Sequence, residues 1–186
     1  NKGSKNRLTS VGDSVRILGI AKKINKTLTQ HQKIIVIVRL FEFLNTEKNI
    51  TDQRLAIINT VSEVFNIPVE EFNNIRGFIF SPKTCIEKDN FNVLAIVPSE
   101  TNEANSFQKE IKSLSTNTIF FLRTKSINSY FIHYQGTEEI YLNGLTIFPD
   151  NIYLFANGST LKPSIGKPIY YSDLVAHFIS SENETH

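Results

Sequence analysis

The stretch Leu28–Leu44, LTQHQKIIVIVRLFEFL, limits what this chain can fold into more than any other. From Ile34 onward only Arg39 and Glu42 interrupt a run of apolar side chains. So much apolar surface must be covered, since leaving it in water costs about 25 cal/mol per Å². The β-branched residues Ile34 to Val38 favour a strand by propensity. Length and punctuation favour a helix, because strands usually run about 5–6 residues and Thr29 is a suitable N-cap. The expectation is a helix apolar around most of its circumference, central to a bundle. Its charges, and a length of roughly 24 Å at about 1.5 Å per residue, argue against a membrane span.

The flanking residues fit the same bundle. Ser10 or Asp13 can cap a first helix carrying Val15, Ile17, Leu18, Ala21 and Ile24 at helical spacing, ending near Asn25, a residue tolerant of a left-handed position. After the polar turn Asn45 to Asn49, Thr51 or Asp52 caps a third helix with Leu55, Ile58, Val61, Val64 and Phe65 as its buried stripe. Asn66-Ile67-Pro68 breaks it, and Pro68 suits the first turn of a fourth helix that buries Phe72, Ile75, Phe78 and Ile79. Glu70 and Glu71 sit at the positive end of that helix.

Beyond Ser81-Pro82 the apolar period changes from helical to alternating. Strands are expected at Phe91–Val97, Thr118–Thr124, Ser129–Gln135, Glu139–Leu142, Thr146–Phe148 and Ile152–Ala156. Asn143-Gly144 between Tyr141-Leu142 and Leu145-Thr146 is the strongest hairpin signal, since both residues accept positive φ. Residues 99–116 read as a polar loop with one helical turn around Phe107 to Ile111. Ile169 to Ile179 starts extended and continues as a short helix capped by Ser172 or Asp173. The fold class is therefore α+β: a helical bundle over residues 1–80, then a small, mainly antiparallel β domain over 81–186.

Charge divides in the same way. Residues 1–80 hold 12 Lys/Arg against 7 Asp/Glu, and residues 81–186 hold 8 against 11. The basic excess, in Lys2, Lys5, Arg7, Arg16, Lys22, Lys23 and Lys26, reads as a solvated helix face, not a dense nucleic-acid patch. Cys85 is the lone cysteine, which excludes an intrachain disulfide. The chain begins at Asn1 and holds no methionine, so the expectation is either a piece cut from something longer or a sequence in which methionines are not represented.

Chemistry-bearing residues are scattered. His31, His133, His177, His186 and Cys85 show no zinc-ligand spacing, and no phosphate-cradling glycine motif is present. Cys85 with a distant histidine could form a nucleophilic pair only if folding brought them together. Glu138-Glu139 lies beside a turn and reads as solvated. Tyr130, Phe131, Tyr134, Tyr141, Tyr153, Tyr170 and Tyr171 make an aromatic sheet; few basic residues interleave, which favours core packing or a protein-binding face over base stacking.

Two segments, taken together, resemble a known arrangement. Leu18–Phe80 is similar to the TerB-like (tellurite-resistance-like) helical domain: an apolar helix, an acidic turn and a second amphipathic helix. Ser126–Phe178, above all EEIYLNGLTIFPDNIYLFANGSTLK and PIYYSDLVAHF, resembles the small β segment that follows such a domain in certain bacterial ABC transporter ATP-binding proteins. There the pair precedes the nucleotide-binding cassette, with membrane-spanning segments after it. The Leu142-Asn143-Gly144 hairpin is also similar to one in forkhead-associated domains, although the Arg and Ser that read phosphothreonine there find no counterpart.

The resemblance implies a non-catalytic regulatory or docking region, cytoplasmic and peripheral to the inner membrane. Its partners would be the ABC ATPase cassette and transmembrane part on the same polypeptide, with no nucleic acid and no membrane span of its own. No cofactor is expected in this chain; ATP and Mg are implied only for the downstream cassette. TerB-like domains often hold acidic ligands in the turn, but the matching positions here are Glu47, Lys48 and Arg54, so no metal is expected. The expected contact residues are Tyr141, Asn143, Gly144, Tyr170, Tyr171 and Asp173. A free-standing TerB-like stress-response adaptor or sensor is the alternative, and a small hydrolase using Cys85 or a histidine is the enzymatic one.

Overall fold

The computed structural model describes residues 11–88, 90–98, 107–108 and 117–183. The expected cap Ser10, most of the stretch 99–116 and the tail with His186 lie outside them. The fold is α+β, with helices first and antiparallel strands after them. The chain falls into two compact units, residues 1–72 and 73–186.

In the first unit, α1 (Val11–Ile24) ends next to Asn25 as expected, although Asn25 is not left-handed. The Thr27 and Leu28 amides both donate to the Ile24 carbonyl at 3.0 Å. The long apolar stretch forms α2 (Gln30–Glu47), started by a capping box: the Thr29 hydroxyl accepts the Gln32 amide at 3.3 Å, and the Gln32 side chain accepts the Thr29 amide at 2.9 Å. Its buried residues Ile34, Ile37, Val38, Phe41 and Leu44 recur at helical spacing. The other apolar residues are not enclosed: Ile35, Val36 and Leu40 are half-buried and Phe43 is 59% exposed. The helix is thus one-sided among the described residues, with a single buried face over three turns and not an apolar-packed circumference. In α3 (Asp52–Val64) the Thr51 hydroxyl accepts the Arg54 amide at 3.3 Å. Ile58, Val61 and Phe65 are buried, Leu55 and Val64 only in part. Asn66, at φ 54°, ends that helix, and Phe72 at the start of α4 (Val69–Phe80) lies with its ring tilted against Phe41, centroids 5.2 Å apart.

The second unit begins within α4, whose Ile75, Phe78 and Ile79 are buried. A short helix absent from the sequence reading, α5 (Pro82–Glu87), follows with Ser81 at its cap and Pro82 in its first turn. One sheet has the order β2 (Phe107–Gln108), β1 (Val93–Ile96), β3 (Thr118–Thr124), β4 (Ser129–Gln135), β7 (Ile152–Phe155). The other runs β6 (Leu145–Ile147), β5 (Ile140–Leu142), β8 (Thr160–Pro163), β9 (Ile169–Tyr170). The helical turn expected at Phe107 is instead strand: Phe107 and Gln108 pair with Ile96 and Ala95, giving that side of β1 its backbone partners. The last helix, α6 (Tyr171–Asn183), has 13 residues, longer than expected.

Strand alternation places the core. On β3 and β4, Ile119, Phe121, Tyr130, Ile132 and Tyr134 share one face by register. They join Ile140, Leu161 and Ile169 of the second sheet in one buried cluster. Helix α6 closes it with Leu174 and Phe178, while Tyr171 and Val175 complete the stripe. The opposite face of β3 and β4 is buried too, through Phe120, Leu122, Phe131 and His133.

Candidate partner-binding face

The second sheet has one inner and one outer face. Ile140, Leu161, Pro163 and Ile169 point to the core, so their neighbours along each strand point out. Tyr141 is paired with Thr146 on one side and Lys162 on the other, and Tyr170 pairs with Thr160. The outer face therefore carries Thr146, Tyr141, Lys162, Thr160 and Tyr170 across four adjacent strands. Tyr170 is 49% exposed and Tyr141 half-buried. The Tyr141 hydroxyl donates to the Glu139 carboxylate. That hydrogen bond, then the carboxylate charge, then desolvation push the phenol above its ordinary pKa.

The six expected contact residues do not all belong to this face. Tyr141 and Tyr170 do. Asn143 and Gly144 form the β5–β6 turn with φ of 51° and 82°. The Asn143 side chain is committed inward, accepting the Thr160 amide at 2.9 Å and donating to the Ser159 hydroxyl at 3.2 Å. Gly144 has open space where a Cβ would be. Tyr171 belongs to the core, edge-on to Tyr130 at 5.5 Å and tilted against Phe155 at 5.9 Å. Asp173 is exposed in the first turn of α6, where a negative charge is favoured. Thr160 and Lys162 were missed because β8 was not read as a strand, although its T-L-K-P alternation after Gly158-Ser159 is a usable signal. Leu145 and Phe148 are exposed at the two ends of β6, but Leu145 pairs with Leu142 and so does not share the face of Tyr141.

The remaining chemical candidates each have partners of their own. Cys85 is buried on α5 against Gly77, and burial pushes its thiol above the ordinary pKa, with the Lys88 charge opposing in part. His133 is fully buried, with Nδ1 3.0 Å from the Phe78 carbonyl and Nε2 3.4 Å from Asp150. Among the described residues no hydrogen bond joins Cys85 to a histidine. Glu138 accepts from the Ser164 hydroxyl at 3.4 Å and Glu139 from Tyr141, so both carboxylates brace the β4–β5 turn. In the turn matched to the TerB-like acidic loop, Lys48 is left-handed at φ 50° and the Arg54 guanidinium donates to the Asn49 carbonyl at 3.3 Å. Among the described residues no three His, Cys, Asp or Glu side chains gather as a metal site would need. Nor is any described helix long and apolar enough to cross a membrane.

No family model matches the chain, and neither the curated proteins nor the solved structures provide a match.

Proposed function

We propose that this chain is a non-catalytic regulatory and docking region of a bacterial ABC-type transporter ATP-binding protein, with its leading helices a TerB-like domain. It acts through contacts with the ATPase cassette and the membrane part on the same polypeptide, on the cytoplasmic side and peripheral to the inner membrane. ATP and Mg belong to the cassette. The observation that carries this reading is the co-facial placement of Tyr141 and Tyr170 on a solvent-facing sheet. Tyrosines offer large contact area at low entropic cost, and interfaces are enriched in them. The paired resemblance of the helical and β segments supports the choice of partner.

The test is association of the 186-residue chain with the separately produced cassette. Replacing Tyr141 and Tyr170 together by Ala should weaken it by about tenfold or more, as truncation of interface tyrosines does. Association unchanged in that variant would remove this face from the account.

A further inference from the structure

Two asparagines of the chain are followed by glycine, in Asn143-Gly144 and Asn157-Gly158. A glycine has no Cβ to keep its backbone nitrogen away from the side-chain amide of the residue before it. Both pairs are exposed in turns of the second unit. Both glycines lie at positive φ, 82° and 79°, with open space where a Cβ would be. By sequence, exposure and glycine geometry the two pairs are equivalent.

The asparagine side chains separate them. Asn143 is held at both ends of its amide: the oxygen accepts the Thr160 amide at 2.9 Å, and the nitrogen donates to the Ser159 hydroxyl at 3.2 Å. Among the described residues no hydrogen bond holds the Asn157 side chain. Its turn is closed by backbone alone, the Ser159 amide donating to the Ala156 carbonyl at 3.0 Å.

We propose that Asn157 is a site of spontaneous deamidation, and that the folded chain protects Asn143 from the same reaction. The Gly158 backbone nitrogen attacks the side-chain amide carbon of Asn157. The carbon–nitrogen bond of that amide breaks, its nitrogen leaves as ammonia with the proton given up by Gly158, and a cyclic imide closes. Water then adds to one of the two ring carbonyls and opens the imide to aspartate or isoaspartate. Either product adds a negative charge to the connection between β7 of one sheet and β8 of the other. Isoaspartate also adds a carbon to the backbone there, just before Ser159, whose carbonyl accepts the Tyr171 amide at 3.2 Å. The inference does not depend on the transporter reading, and its failure leaves that reading standing.

The test keeps the full 186-residue chain in mildly alkaline buffer beside a urea-unfolded control. A protease that cuts before aspartate puts the two pairs on separate peptides, 89–149 and 150–172, whose amide and acid forms mass spectrometry counts. In the folded chain Asn157 should convert at least about tenfold faster than Asn143, because freeing Asn143 requires breaking two hydrogen bonds. In urea the two rates should converge. Chromatography should find isoaspartate as well as aspartate at position 157, since the imide opens both ways. Asn157→Gln, whose longer side chain closes such a ring far more slowly, should abolish conversion there and leave circular dichroism unchanged. The proposal is overturned if Asn157 stays an amide while the unfolded control converts, or if Asn143 converts as fast as Asn157 in the folded chain. Aspartate without isoaspartate would overturn the imide route.

Discussion

The side-chain oxygen of Asn143 accepts the backbone amide of Thr160 at 2.9 Å, fastening the β5–β6 turn to β8 across 17 residues of chain. Asn143 itself sits at φ 51°, a left-handed conformation that Ala tolerates poorly. Asn143→Ala should therefore destabilise the protein by about 2 kcal/mol, combining backbone strain with a lost acceptor. Asn143→Gly should recover only the strain. Urea unfolding of the two variants separates the contributions.

A second turn is held by Asn117. Its side-chain oxygen accepts from the Thr137 amide at 2.9 Å and the Tyr134 hydroxyl at 3.2 Å. A Cβ on Gly136 would collide with both that oxygen and the Tyr134 hydroxyl. Gly136→Ala should cost roughly 1–3 kcal/mol, as overpacking does, and lower the thermal midpoint in calorimetry.

Burial, more than the Lys88 charge offsets, raises the Cys85 thiol pKa in the folded protein. The sign follows from linkage: the folded state holds this proton more tightly than the unfolded one. The stability so contributed is fully present below the unfolded thiol pKa and is lost as pH rises through the folded one. Iodoacetamide at pH 7 should accordingly modify Cys85 at least about tenfold more slowly than free cysteine. Mass spectrometry across a pH series, with a urea-unfolded control, reads both rates.

Much of this architecture is legible in the residues, and the exceptions have physical causes. Thr29 and Thr51 announce their helices because a cap needs one side chain at one place. Asn143-Gly144 announces its turn because few residues accept positive φ. The enclosure of α2 was over-read: hydrophobicity says that Phe43 can be buried, not that a neighbour is present to bury it. β2 was missed because a strand of two residues carries no periodicity and exists through its pairing with β1, whereas the alternation of β8 was there to be read. The candidate face was half legible. Tyr141 and Tyr170 stood out as aromatics near turns, but Tyr171, next in sequence, opens α6 and packs its ring against Tyr130 and Phe155 of the core, a difference that only the tertiary contacts reveal.

The outer-face tyrosines should be dispensable for folding. Tyr170 is about half exposed, and neither Tyr141 nor Tyr170 belongs to the buried cluster. Tyr141→Ala with Tyr170→Ala should shift stability by no more than about 1 kcal/mol, as surface changes do. A larger loss in urea unfolding would make them structural residues.

The central claim is that these residues work as the front of a larger ATP-binding protein, and the native gene product tests it most directly. An immunoblot of fractionated cells, with an antibody raised against this chain, reports size and location together. The account predicts a band several times heavier than the 21.2 kDa of this chain, recovered with membranes. A band near 21.2 kDa in the soluble fraction would contradict it and favour a self-contained TerB-like adaptor or sensor.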